Sequence, residues 1–211
     1  SNSCVKNKIN TFTFIPRNMI TTNRKVIDRK YLNNAMDYTG YRKLVDDLLL
    51  EGKVTGPQQS ESLAHYTKLN VQRMQRIDKT VQLLPEALAA LQAINKPQTW
   101  LVITEGWCGD AAQILPVLNA MASVNPLIQL QLVLRDANLE LMDQYLTDGT
   151  SRSIPKLVVL DTATMEEQFN WGPRPAPLQE LYKKMRTEGM DYASISQELH
   201  AWYAKDKTVH T

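Results

Sequence analysis

At 211 residues with 43% hydrophobic content, the chain is long enough for one ordinary domain plus an extension, and its composition excludes global disorder. The net charge of +2 is unevenly placed: residues 1–36 hold seven Lys/Arg against Asp28 alone, and the remainder carries 17 bases against 21 acids. A mildly acidic body argues against nucleic acid as a partner. No apolar run approaches the roughly 20 residues of a membrane span, so no membrane partner is expected either.

In chain order, residues 1–36 come first (Lys6, Lys8, Arg17, Arg24, Lys25, Arg29 and Lys30 among Asn and Thr). They have no helical period and read as a flexible basic arm, with the folded unit expected to begin at Met36. The arm lacks the continuous apolar stretch of about 7–15 residues that a secretory leader needs. Cys4 and Cys108 stand 104 positions apart and make no disulfide framework, so the expected setting is reducing and cytoplasmic.

Residues 37–96 read as a helical extension. Tyr41, Leu44, Val45, Leu48 and Leu49 share one helical face, which Gly52 or Gly56 can end. A second helix opens at Ser60 or Ser62 and repeats apolar residues at Leu63, Tyr66, Leu69, Met74, Ile77 and Val81. The Arg and Lys between them read as a solvated face. Pro85 suits the first position of a third helix over 85–94.

From residue 98 the pattern changes. "TWLVIT" (99–104) reads as a buried strand, 109–124 as a helix, 127–136 as a strand and 138–146 as a short helix. "KLVVLD" (156–161) is a strand whose antiparallel partner is 166–171, across a turn at Asp161–Thr164. Helices over 177–190 and 191–206 close a domain spanning 97–211. The layout is α/β with a mixed sheet flanked by helices. Trp171 and Trp202 read as packing residues. His65, His200 and His210 have no partner at metal-ligand spacing, so neither a metal nor a cofactor is expected.

"TEGWCGDA" (104–111) places Cys108 where a strand gives way to a helix. Backbone N–H groups and the helix dipole there favour a thiolate, the nucleophilic form of the residue. Gly106 and Gly109 leave room for a tight turn, and Trp107 supplies a flat wall. Asp110, in the first helical turn, opposes ionisation of the thiol through its own charge.

"WCGDA" resembles the thioredoxin turn W-C-G-x-C, with Ala111 in place of the resolving cysteine. Pro116, eight residues after Cys108, stands where thioredoxins carry a helix-kinking proline. Ile154–Pro155 resembles the segment bearing their cis-proline, which faces the cysteine and binds substrate backbone. Gly172 in "NWGPRP" falls where a glycine lines the same groove. The resemblance covers about residues 98–188 and implies a thioredoxin-like fold, and the chain is similar to a bacterial subgroup marked by "EGWCGDA". The buried Asp that thioredoxins place six residues before the nucleophile is here Val102, and Glu105 is expected to face the turn.

With Ala111, release of a mixed disulfide by internal attack is closed. The leading expectation is therefore a monothiol thiol–disulfide oxidoreductase or thiol-transfer protein acting on a small thiol or a protein disulfide. In it, Cys108 and Asp110 are the catalytic candidates, and Trp107, Gly109, Ile154, Pro155, Gly172 and Arg174 bind substrate. Arg174 also stands ready to offset Asp110. The alternative is a redox-inactive thioredoxin-fold module that binds a protein or peptide. A third reading, Cys108 as an iron–sulfur ligand across a dimer, needs further ligands from glutathione or a second chain.

Overall fold

The computed structural model describes residues 24–205. Cys4, His210 and the first three bases of the arm lie outside the described residues. Three helices lead: α1 (Tyr38–Leu50), α2 (Glu61–Thr80) and α3 (Pro85–Gln92). Asp37 caps α1 by accepting from the Gly40 N–H at 2.7 Å. At its other end Gly52 takes φ +69°, and the Gly52 and Lys53 N–H groups bond the Leu49 and Leu48 carbonyls. This pair of bonds satisfies carbonyls that have no partner further along the helix. Of the two serines ahead of α2, Ser60 is the cap, accepting from the Leu63 N–H at 3.1 Å.

The sheet follows. Its strands are β1 (Gln98–Thr104), β2 (Ile128–Leu134), β3 (Lys156–Asp161) and β4 (Glu167–Trp171). The helices between and after them are α4 (Gly109–Ala122), α5 (Leu139–Met142), α6 (Ala176–Thr187) and α7 (Tyr192–Lys205). Strand order is β2-β1-β3-β4. β1 runs parallel to β2, with Val102 opposite Leu132, and antiparallel to β3, with Val102 opposite Leu157. A strand apolar on both faces needs cover on both. Leu101, Val102 and Ile103 are fully buried, each worth about 1.5–3 kcal/mol of burial. The β3–β4 hairpin turns as expected, with Asp161 Oδ1 accepting from the Ala163 and Thr164 N–H groups. α2 packs along α4, and α1 packs against both α2 and β2.

The folded unit begins earlier than Met36. Residues 24–36, expected in the flexible arm, strap the sheet from one edge to the other. Val26 bridges Glu166 beside β4, Met36 bridges Leu132 on the outer side of β2, and a 3-10 turn (Arg29–Leu32) lies between. Ile27 and Tyr31 are buried by the strap. Two apolar residues spaced four apart give no convincing period, so the contact was invisible to pattern reading. No helix among the described residues is long and apolar enough to cross a membrane.

Candidate functional site

The cysteine turn is held from behind by the leading helical region. The Gly106 N–H donates to Thr55 Oγ1 at 2.9 Å, and the Gly106 carbonyl accepts from Asn70 Nδ2 at 3.0 Å. A Cβ on Gly106 would sit 3.1 Å from Val45 Cγ2, which explains the glycine without any catalytic argument. Glu105 departs from expectation. It faces the interior and is fully buried, with Oε1 accepting from the Asp136 N–H at 2.9 Å, so it ties the turn to the end of β2. Burial pushes its carboxyl up.

Cys108 is the N-cap residue of α4, and its Sγ accepts from the Ala111 N–H at 3.5 Å. The Ile154–Pro155 bond is cis, and Sγ donates to the Ile154 carbonyl at 3.3 Å. Cys108 is 9% exposed. Burial first, and the Asp110 charge second, push its thiol up to about 12, while the Ala111 N–H and Arg174 pull the other way. The helix terminus therefore loses to desolvation. At pH 7 a thiol so raised is overwhelmingly protonated. The greater intrinsic nucleophilicity of a high-pKa thiolate recovers less than about half of that deficit on a logarithmic scale.

Asp110 is also buried, and two distant residues meet it. Arg174 Nη2 lies 2.8 Å from Oδ2, and Tyr203 Oη donates to Oδ1 at 2.8 Å. Burial raises the Asp110 carboxyl, and Arg174 and Tyr203 oppose that rise. Arg174 is held in turn: Nη1 donates to Gln179 Oε1 at 3.0 Å, and its guanidinium lies 4.1 Å over the Tyr182 ring. Arg174 thus offsets Asp110 as expected, and its charge is spent there.

A cavity of about 230 Å³ lies over the turn. Trp107, Cys108, Gly109, Asp110, Ile154 and Arg174 all line it, and Arg135 stacks on Trp107 at 4.8 Å. Pro155 and Gly172 do not line it. Pro155 is buried beneath Ile154, and Gly172 (φ +122°) presses on the Pro155 carbonyl so closely that any side chain would collide with it. These two residues pack against each other.

The far wall comes from α7, whose Tyr192, Ser196, Leu199 and His200 face the turn. His200 sits over Gly109, where an added Cβ would fall 2.7 Å from its Nε2. Gln113 Nε2 lies 3.1 Å from His200 Nδ1. Burial and the charges of Arg73 and Arg76 pull this imidazole down to about 4, so it is neutral at pH 7. Pattern reading missed Thr55, Asn70, Gln113, His200 and Tyr203. Only Asn70 carries a signal, as a polar residue at apolar spacing between Thr67 and Met74 on α2.

No curated protein matches this chain. A crystal structure of a protein of unknown function, PA1234 from Pseudomonas aeruginosa, superposes with a TM-score of 0.50 at 15% identity, covering 85% of this chain and 96% of that one. A crystal structure of an HIV epitope-scaffold gives a TM-score of 0.46 at 16% identity, covering 80% and 96%. A family model described as Thioredoxin matches residues 56–186, a stretch that takes in the cysteine turn, the sheet and nearly all of α6 but ends before α7. With more than half of its length so matched, this chain belongs to the thioredoxin family.

Proposed function

We propose that this chain is a redox-silent, ligand-binding member of its family, whose pocket over Cys108 takes one small molecule rather than an extended polypeptide. The observation that carries this reading is the seating of α7 across the cysteine turn. Tyr203 bonds Asp110 and His200 covers Gly109, on the face where the family resemblance implies an extended substrate. The remaining space, about 230 Å³, is below the 300–1,000 Å³ usual for drug-sized ligands. Arg135, Arg152 and Arg174 border it, each already paired with a carboxylate (Asp136, Asp143 and Asp110), which favours a ligand without net charge. The Cys108 proton is engaged by the Ile154 carbonyl, so the sulfur serves the pocket as a small polar wall.

The test is reaction of the reduced chain with glutathione disulfide across pH, with mass mapping to separate Cys108 from Cys4. The expected result at pH 7 is an unmodified Cys108 in the native chain and a modified one after unfolding in urea. An adduct at native Cys108 forming faster than on a free peptide cysteine would overturn the reading.

A second reading keeps monothiol transfer. It is favoured by one observation, the Ala111 N–H directed at Sγ from the helix terminus. In that reading Cys108 thiolate attacks a small disulfide and expels one thiolate. An external thiol then releases Cys108 from the mixed disulfide. Asp110→Asn separates the two readings: a transfer enzyme reacts faster once the carboxylate charge is gone, whereas a thiol held up by desolvation stays slow.

A further inference from the structure

A second cavity, of about 410 Å³, lies between α2 and α7. It shares Ser196 and His200 with the pocket over Cys108, so the two are separated by little more than one imidazole. Its charge is unbalanced. Arg73 is half-buried in its wall, Arg76 stands one helical turn further on, and among the described residues neither has a carboxylate within 4.0 Å. The reading of α2's bases as a solvated face holds for the exposed Lys68, Arg76 and Lys79 and is corrected for Arg73 alone, whose Nη1 donates to the fully buried Asn70 Oδ1 at 2.7 Å. The groups acting on Arg73 are the like charge of Arg76 and the phenols of Tyr66 and Tyr192, with no carboxylate among them. Both arginines also bear on His200, whose other close polar neighbour is the neutral Gln113 from α4.

Half-buried guanidinium groups are ordinarily paired, because desolvation without a counter-charge is costly. Here one half-buried cation, Arg73, lines a cavity together with the imidazoles of His65 and His200 and the Ser196 hydroxyl, while Arg76 stands exposed beside it on α2, outside the cavity wall, and no carboxylate among the described residues lies within 4.0 Å of either arginine. The half-buried Arg73, with no carboxylate beside it and the charge of Arg76 adding to the local field, favours an oxyanion, and the planar guanidinium fork suits phosphate oxygens. We propose that the α2–α7 cleft is a binding site for a phosphate group, free or as a small monoester, held by Arg73 in its wall, with His200 on the side of the cysteine turn and the exposed Arg76 attracting the anion from one turn along α2. The site is coupled to the cysteine turn by a short chain of bonds, from Arg73 to Asn70 Oδ1 and from Asn70 Nδ2 to the Gly106 carbonyl. The proposal stands apart from the reading of the Cys108 pocket, since no step of it involves the thiol.

The experiment is a histidine-ring NMR titration of the full chain with inorganic phosphate at pH 7.5 and constant ionic strength, chloride replacing phosphate in the control. His200 is assigned with His200→Gln. The expected result is a saturable shift of the His200 signals with a midpoint near the millimolar range. A parallel pH titration with phosphate present should move the imidazole up by about one unit. Arg73→Gln, and separately Arg76→Gln as a second variant, should weaken the midpoint about tenfold or more with an unchanged far-UV spectrum. Arg186→Gln, on α6, should leave it alone. A tighter midpoint for glycerol phosphate identifies a monoester, and an equal or weaker one identifies the free ion. The proposal is overturned if the shift does not saturate, if chloride or acetate reproduces it, or if both Arg73→Gln and Arg76→Gln leave it unchanged.

Discussion

The two cavities flanking α7 share two residues, yet their charges are settled in opposite ways. On the Cys108 side each arginine has found a carboxylate within the chain: Asp136 for Arg135, Asp143 for Arg152 and Asp110 for Arg174. On the α2 side Arg73 bonds the neutral Asn70 amide and, like the exposed Arg76, has no carboxylate within 4.0 Å among the described residues. The first arrangement is complete without a ligand charge. The second, on our proposal, takes its anion from outside. The same helix therefore stands between a pocket whose arginines are all paired within the chain and a cleft whose half-buried arginine is not.

The sharpest way to break this comparison is to remove a carboxylate from the settled side. Asp110→Ala leaves Arg174 and the Tyr203 hydroxyl buried and unpaired, and a loss of about 3–5 kcal/mol in urea unfolding is expected. A loss under about 1 kcal/mol would mean that the pair is not desolvated. Next comes the alkaline limb of stability. The Cys108 thiol is higher in the folded chain than in the unfolded one, so the folded state holds the proton longer. Its contribution is fully present below pH 9 and is lost as pH rises from 9 toward about 12, with a slope of up to about 1.4 kcal/mol per pH unit. Cys108→Ser should flatten that limb relative to the parent chain in paired denaturation curves.

The acid limb tests the other side. His200 is lower in the folded chain, so its contribution is present above pH 6.5 and is lost as pH falls toward about 4. The slope is again up to about 1.4 kcal/mol per pH unit, His200→Gln should reduce it, and saturating phosphate, by raising the folded imidazole, should end the loss at a higher pH and so make it smaller. The smallest effect is expected at Arg73. Arg73→Gln gives up the bond to Asn70 but relieves repulsion with Arg76, so the net change in denaturant midpoint should correspond to under about 1 kcal/mol. A loss as large as that of Asp110→Ala would show that Arg73 is paired after all.

Periodicity and turn chemistry made most of the architecture legible. The alternation and apolar runs located β1 to β4, the Asp161–Thr164 segment announced its hairpin, and Gly52 marked the end of α1. The placement of Cys108 at a helix start, with Ile154 and Arg174 beside it, was also readable from local motifs. Pro155 and Gly172 were placed correctly in the chain, and their close contact with each other was not legible in it. Whether a residue near a turn points to solvent or to another loop is a question of packing, and no local pattern carries it.

The sequence by itself determined the helices, the strands, the mixed sheet and the cysteine at its helix terminus, because each is written in spacings of a few residues. Tertiary structure alone decided that this sulfur is buried, and burial is what pushes its thiol up; it also brought Tyr203 of α7, 93 positions away, onto Asp110. It also decided that the strap before Met36 belongs to the core, and that Arg73 is left without a counter-charge. Burial and ion pairing are properties of distant surfaces brought together, and desolvation outweighs a helix dipole only once those surfaces have met.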